Sequence, residues 1–218
     1  LLSTSDTDSA FEVWMQQNPV EVSILSDEKT IISPVESAVS YLITVPLQIW
    51  FILWLQRRRK INLSKNLGLY QFNRNALIYS LVAYLILYLV LTVYSYVFQI
   101  PPPEEFIKLI KATPFVLNFL MVVIGAPIVE ELLFRGFLFS QLKTTKLGIN
   151  GSIILTSLIW TSIHLQYDLF LLIPIFLLGL LLGYLMHKYN SLYLVIIVHA
   201  VHNLQATLFI EFFYDYFY

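Results

Sequence analysis

The 218-residue sequence has no cysteine and few charged residues. The absence of cysteine excludes disulfide bonds, thiolate metal sites and a cysteine nucleophile. Charged residues make up 12% of the chain and the formal net charge is −1, so no broad basic surface is available and we expect no nucleic-acid partner. Hydrophobic residues make up 58%, which is more than a soluble domain of this size can bury. We therefore predict an integral membrane protein with the lipid bilayer as its main solvent.

Long apolar runs define the predicted membrane spans. A helix of about 20 residues crosses the hydrocarbon core of about 30 Å. Six apolar runs occur, near residues 32–55, 76–98, 114–140, 151–166, 169–187 and 191–213. The fourth is short and its end near Tyr167 is poorly marked, so a tilted or re-entrant segment stays open there. We predict an all-α, polytopic transmembrane bundle of about six spanning helices with a polar site inside the membrane.

Basic residues cluster in the loops of one membrane face, which the positive-inside rule predicts to be cytoplasmic. Nine of the 13 basic residues lie in these loops: Arg57, Arg58, Arg59, Lys60, Lys65, Arg74, Lys143, Lys146 and Lys188. The opposite loops are mainly acidic. With six spans, both termini are expected outside. We expect a multi-pass protein.

Acidic and basic side chains interrupt the third span at Glu130, Glu131 and Arg135. A charge near the membrane centre costs about 2.5–3.5 kcal/mol and persists only with a partner or a function. Glu131 and Arg135 are spaced i,i+4 and can pair on one helix face. Glu130 lies about 100° around the helix and has no such partner. We predict that Glu130 is functional and Glu131 supportive, and that Pro127 opens the helix beside Glu130 by removing a hydrogen bond.

Polar residues in two later spans fall at the same depth. His164 follows Trp160 by one turn, and His199 and Asn203 share a face of the sixth span. Taken singly, each fits an interfacial or helix-packing role. At about 1.5 Å per residue, Glu130, His164, His199 and Asn203 all lie about 12 to 20 Å from the cytoplasmic edge. Structural polar residues have no reason to share one layer, so we predict one site.

These residue types indicate hydrolysis, by either of two routes. Glu130, His164 and His199 can hold a metal such as Zn²⁺ with a bound water, or the carboxylate can activate water directly as a general base. Asn203, with one imidazole, can donate hydrogen bonds to the oxyanion of a tetrahedral intermediate. Peptide-bond hydrolysis needs both a group that activates water and a donor that stabilises the oxyanion.

The three motifs resemble those of the CPBP family (CAAX protease and bacteriocin-processing, also called Abi) of intramembrane proteases. The family signature is Glu-Glu-x-x-x-Arg, aromatic-x-x-x-His and His-x-x-x-Asn on three helices. Here the motifs stand as Glu130-Glu131 with Arg135, Trp160 with His164, and His199 with Asn203. The resemblance covers about residues 112–206. Trp160 replaces the usual phenylalanine, which we take as a mild change.

The resemblance implies a role for each of these side chains. It assigns water activation to Glu130 with His164, oxyanion stabilisation to His199 with Asn203, and support of the site to Glu131 with Arg135. It leaves the metal open, because members have been called metalloproteases while the CAAX endoprotease looks like a glutamate-dependent enzyme. Together with the composition and the apolar runs, it divides the chain into an external polar tail (1–31), two transmembrane helices with their loops (32–111) and a CPBP-like catalytic core of four transmembrane helices (112–218).

The predicted function is therefore an intramembrane endopeptidase acting on a membrane-anchored or hydrophobic peptide. The chain has fewer spans than the CAAX endoprotease, which weakens the case for a prenylated CAAX substrate. His-Glu-x-x-His and Gly-x-Ser-x-Gly motifs are absent, which disfavours other protease classes. The main alternative is a non-catalytic scaffold or bacteriocin-immunity protein that retains the fold. A proton or ion pathway is disfavoured because its groups would be staggered across the bilayer.

Overall fold

The computed structural model describes residues 34–58 and 62–217, which belong to one compact unit. Within these ranges the regular secondary structure is entirely helical and no strand occurs, so the predicted all-α class is confirmed. The predicted external polar tail (1–31) lies outside the described residues. The division at residue 111 stays a prediction.

The helices follow one another with short connections. They are α1 (Pro34–Arg58), α2 (Leu63–Leu67), α3 (Arg74–Val97), α4 (Glu104–Ala112), α5 (Phe115–Leu142), α6 (Gly148–Ser162), α7 (Leu169–Tyr189), α8 (Leu192–Phe212) and α9 (Tyr214–Phe217). Helix α5 contains two π-helical segments, Phe119–Gly125 and Leu132–Leu138. A turn and a half of α-helix, Ala126–Glu131, separates them and carries both glutamates.

Side-chain caps explain where the long helices begin and end. Asn73 accepts a hydrogen bond from the amide of Ala76 at 2.8 Å, which starts α3. Asp168 accepts from two first-turn amides of α7, as an N-cap does. Helix α7 ends at Asn190 in the left-handed conformation (φ 46°), and Ser191 caps α8. Because this connection has only two residues, α7 and α8 are antiparallel neighbours.

Four helices of the described chain are long and apolar enough to cross a membrane: α3, α5, α7 and α8. The protein is therefore a multi-pass membrane protein, as predicted, but the count of six spans is not confirmed. Helix α6 has 15 residues, which extend about 22 Å at about 1.5 Å per residue and fall short of a bilayer core of about 30 Å. Helix α1 is described only in part and is not among the four. The sidedness of the loops and termini stays a prediction.

Two glycines bring α6 and α7 into close contact. A Cβ atom at Gly179 would lie 3.1 Å from Cβ of Ser157 and 3.1 Å from Cε3 of Trp160. A Cβ atom at Gly183 would lie 3.0 Å from Cγ2 of Ile153. Small residues permit such approach between membrane helices. The contact at Gly179 places the Trp160 ring against the backbone of α7, beside the polar residues of α5.

Candidate active site

All four residues predicted to perform chemistry line one cavity. Glu130, His164, His199 and Asn203 face a space of about 590 Å³ between the helices. They come from α5, the turn after α6, and α8. The structure brings these residues to one cavity, and their role in chemistry stays a prediction.

Glu130 is held at the cavity wall by Trp160. The indole Nε1–H of Trp160 donates to Oε2 of Glu130 at 2.5 Å. The same carboxylate oxygen lies 4.0 Å from Nε2 of His199. The Glu130 side chain is 21% exposed, so it can reach the cavity, whereas Glu131 on the adjacent helix face is fully buried.

The predicted ion pair between Glu131 and Arg135 is present, with Nη1 of Arg135 2.9 Å from Oε1 of Glu131. The structure adds a third partner, because Nδ1 of His199 lies 2.9 Å from the same oxygen. A carboxylate only accepts hydrogen bonds, so the proton of a neutral His199 ring lies on Nδ1 and the lone pair on Nε2 faces Glu130. Arg135 also donates to the Gly179 carbonyl at 3.1 Å and lies over the Trp160 ring.

His164 lies just beyond α6, which ends at Ser162, rather than within the helix as predicted. Its Nδ1 lies 3.0 Å from the carbonyl oxygen of Trp160. Because a carbonyl only accepts, Nδ1 carries the proton and Nε2 is left free to accept one. The ring contacts Trp160 edge-on at 5.3 Å and stacks on Tyr167. Burial raises the pKa of the Tyr167 phenol, so that side chain is neutral at pH 7.

The orientation of Asn203 follows from Pro127. In the π-helical segment each amide donates five residues back, and Ala126 donates to the Met121 carbonyl. The next donor in this register would be residue 127, but proline has no N–H. The Val122 carbonyl accepts instead from Nδ2 of Asn203 at 2.8 Å. Pro127 thus frees a backbone acceptor that fixes Asn203, leaving its second amide hydrogen for another partner.

The motifs did not identify a polar network that forms another part of the cavity wall. Tyr84 on α3 donates to Oε1 of Gln205 at 3.0 Å and lies 3.3 Å from Nδ1 of His202. Gln205 donates to the hydroxyl of Tyr88 at 2.9 Å. His202, Gln205 and Tyr88 line the cavity. These residues belong to none of the three motifs. In the sequence, the i,i+4 spacing of Tyr84 and Tyr88, which places them on one helix face, was the pattern that could have indicated the network.

The predicted metal alternative would need Glu130, His164 and His199 to act together as ligands. In the described part of the chain, no group of three or more histidine, aspartate and glutamate side chains is placed to hold an ion. A catalytic Zn²⁺ site needs three converging protein ligands. The set of Glu130, His164 and His199 does not supply them in this arrangement, and the mechanism below uses no metal.

Comparison with known proteins supports the identification made from the motifs. Residues 112–205 match the family model for type II CAAX prenyl endopeptidases, described as Rce1-like. The matched segment contains all three motifs and every cavity residue predicted to perform chemistry. No curated protein and no solved structure matches the chain. Residues 112–205 are therefore similar to the Rce1-like CAAX proteases, and this similarity supports a membrane protease.

Proposed function

We propose that the protein is an intramembrane endopeptidase that hydrolyses a peptide bond in a membrane-associated protein or peptide. The observation that carries the proposal is the convergence of Glu130, His164, His199 and Asn203 on one cavity among apolar helices. Much of the remaining wall is apolar and includes Phe106, Ile107 and Phe209. Such a cavity suits a hydrophobic segment better than a soluble peptide.

In the proposed reaction, Glu130 is the general base. Its carboxylate takes a proton from water while the water oxygen bonds to the carbonyl carbon of the substrate. Nε2 of His164, which is free to accept, holds the same water. When the tetrahedral intermediate collapses, the C–N bond breaks and the leaving nitrogen receives the proton.

The developing oxyanion needs a donor aimed at it from a fixed position. We assign this role to the second amide hydrogen of Asn203, since Val122 already holds the first. His199 in its neutral tautomer presents a lone pair on Nε2. It can therefore donate to the oxyanion only after it has taken up a proton there.

The proposal is tested by comparing membrane proteomes of cells that carry wild-type protein or Glu130→Gln. We expect one or a few precursors to accumulate in the variant. Glu105→Gln is the matched control, because Glu105 is an exposed glutamate of α4 outside the cavity lining. Unchanged product levels with folded Glu130→Gln protein would contradict the proposal and favour the scaffold alternative.

A further inference from the structure

Trp160 contacts more of the polar site than any motif assigns to it. The side chain is 2% exposed. Its N–H binds Glu130 at 2.5 Å, and its ring centroid lies 5.3 Å from those of His164 and His199. The guanidinium carbon of Arg135 lies 4.8 Å from the centroid. One indole therefore connects the carboxylate, both imidazoles and the buried arginine.

Phenylalanine, which is usual at this position in the resembling family, cannot reproduce this arrangement. A phenyl ring can keep the edge contacts with the imidazoles, but it has no donor for the Glu130 carboxylate. The presence of tryptophan rather than phenylalanine at position 160 is therefore not the mild change that the sequence suggested. Glu130 in this protein has a hydrogen-bond donor that phenylalanine would not provide.

The indole is also fixed in the orientation that this hydrogen bond requires. Cε3 of Trp160 packs against Gly179 of α7, where a Cβ atom would lie 3.1 Å away. The Gly179 carbonyl in turn accepts from Arg135 at 3.1 Å. Backbone of α7 on one side and Arg135 over the ring restrict the rotamers of Trp160. Its N–H is directed at Glu130 by packing.

We propose that Trp160 is a positioning residue that selects which oxygen of Glu130 acts as the base. Oε2 accepts from the indole and lies 4.0 Å from Nε2 of His199. None of the side chains that the structure describes makes a hydrogen bond to Oε1, so Oε1 is the oxygen left to take the proton from water. The inference rests on the proposed proteolytic function.

The kinetic test is Trp160→Phe, with Trp50→Phe on the exposed surface of α1 as the matched control. A hydrogen bond to a charged group has a strength that corresponds to about a 10- to 100-fold change in rate. We expect Trp160→Phe to lower kcat by this amount and leave KM within about twofold, because the indole acts on the base rather than on substrate binding. Trp50→Phe should change neither. A wild-type kcat in Trp160→Phe would overturn the inference and leave the proposed protease function intact.

A spectroscopic test does not depend on activity. In ¹⁵N-indole spectra of the full chain in detergent micelles, Glu130→Gln should shift the Nε1–H resonance of Trp160 more than those of the other three tryptophans. The Trp160 signal is the one that survives single Trp→Phe changes at Trp14, Trp50 and Trp54, so the test stands even when Trp160→Phe does not fold. An unshifted signal would overturn the hydrogen bond. Absence of proteolysis together with the expected shift would contradict the proposed function alone.

Discussion

Removal of Arg135 is expected to destabilise the protein more than removal of its whole ion pair. Arg135 and Glu131 are both fully buried, with the guanidinium 2.9 Å from the carboxylate. In Arg135→Met the methionine fills much of the volume, but the Glu131 charge loses its cation. An unpaired buried charge costs about 3–5 kcal/mol.

The double variant Glu131→Leu/Arg135→Met removes both charges. In the double variant the Nδ1–H of His199 has lost its acceptor, and the carbonyl of Gly179 has lost its donor. An unsatisfied buried polar group costs about 1–3 kcal/mol. We therefore expect the double variant to recover about 2 kcal/mol of the free energy of unfolding that Arg135→Met loses, as in other buried ion pairs replaced by apolar residues.

Reversible unfolding in mixed micelles, followed by circular dichroism, measures the two losses side by side. We expect wild type to be the most stable, the double variant to be less stable, and Arg135→Met to be the least stable. With Glu131→Leu measured as well, a double variant less stable than wild type by the sum of the two single-variant losses would show that Glu131 and Arg135 are not coupled. The reasoning from the buried pair would then be refuted.

Three further predictions address the local geometry and the route of catalysis. Pro127→Ala supplies a backbone amide that competes with Asn203 for the Val122 carbonyl, and we expect kcat to fall about tenfold because the fixed oxyanion donor is lost. The control Pro46→Ala on α1 should leave kcat unchanged. Equal kcat values for Pro127→Ala and wild type would contradict this prediction. Gly179→Ala should destabilise the protein by about 1–3 kcal/mol through overpacking between α6 and α7. In the same unfolding assay Gly136→Ala should lower the free energy of unfolding less, because its Cβ atom would meet side chains only at 3.4 Å. Phenanthroline should leave proteolysis unchanged on the glutamate route, and inhibition that Zn²⁺ reverses would contradict that route.

The parts of the site that sequence predicts are those encoded by spacing along one helix. The i,i+4 relation identified the pair of Glu131 and Arg135 because the α-helical period places those side chains on one face. Common depth in the membrane identified the shared cavity for the same reason, since each residue's height follows from its distance to a helix end. Both depend only on local geometry, and the cavity and the ion pair are present.

The contacts that sequence did not reveal join distant segments. The bond between Glu131 and His199 joins residues 68 apart, and no helical period relates α5 to α8. The Val122 carbonyl is exposed by the π-helical register, which Pro127 alone does not specify. The donor role of Trp160 depends on the close approach of α6 to α7. In each case packing between helices decides the contact.

The count of spans was harder to predict than the site. Apolar composition near residues 151–166 resembles a spanning run, but α6 stops at Ser162 after 15 residues. Asp168 then caps a new helix, so the connection between α6 and α7 occupies residues that the pattern assigned to a span. An apolar run is compatible both with a helix buried in the protein and with a helix that contacts lipid, and it does not show where the helix ends.

Cleavage by purified protein in liposomes tests the central claim most directly. The substrate is the precursor that accumulates with Glu130→Gln, and the products are read by mass spectrometry in ¹⁸O-labelled water. We predict that the wild-type protein generates a new C-terminus carrying ¹⁸O and that Glu130→Gln, with unchanged folding, generates none above background. Cleavage by Glu130→Gln at the wild-type rate would contradict the assignment of Glu130 as the base that activates water.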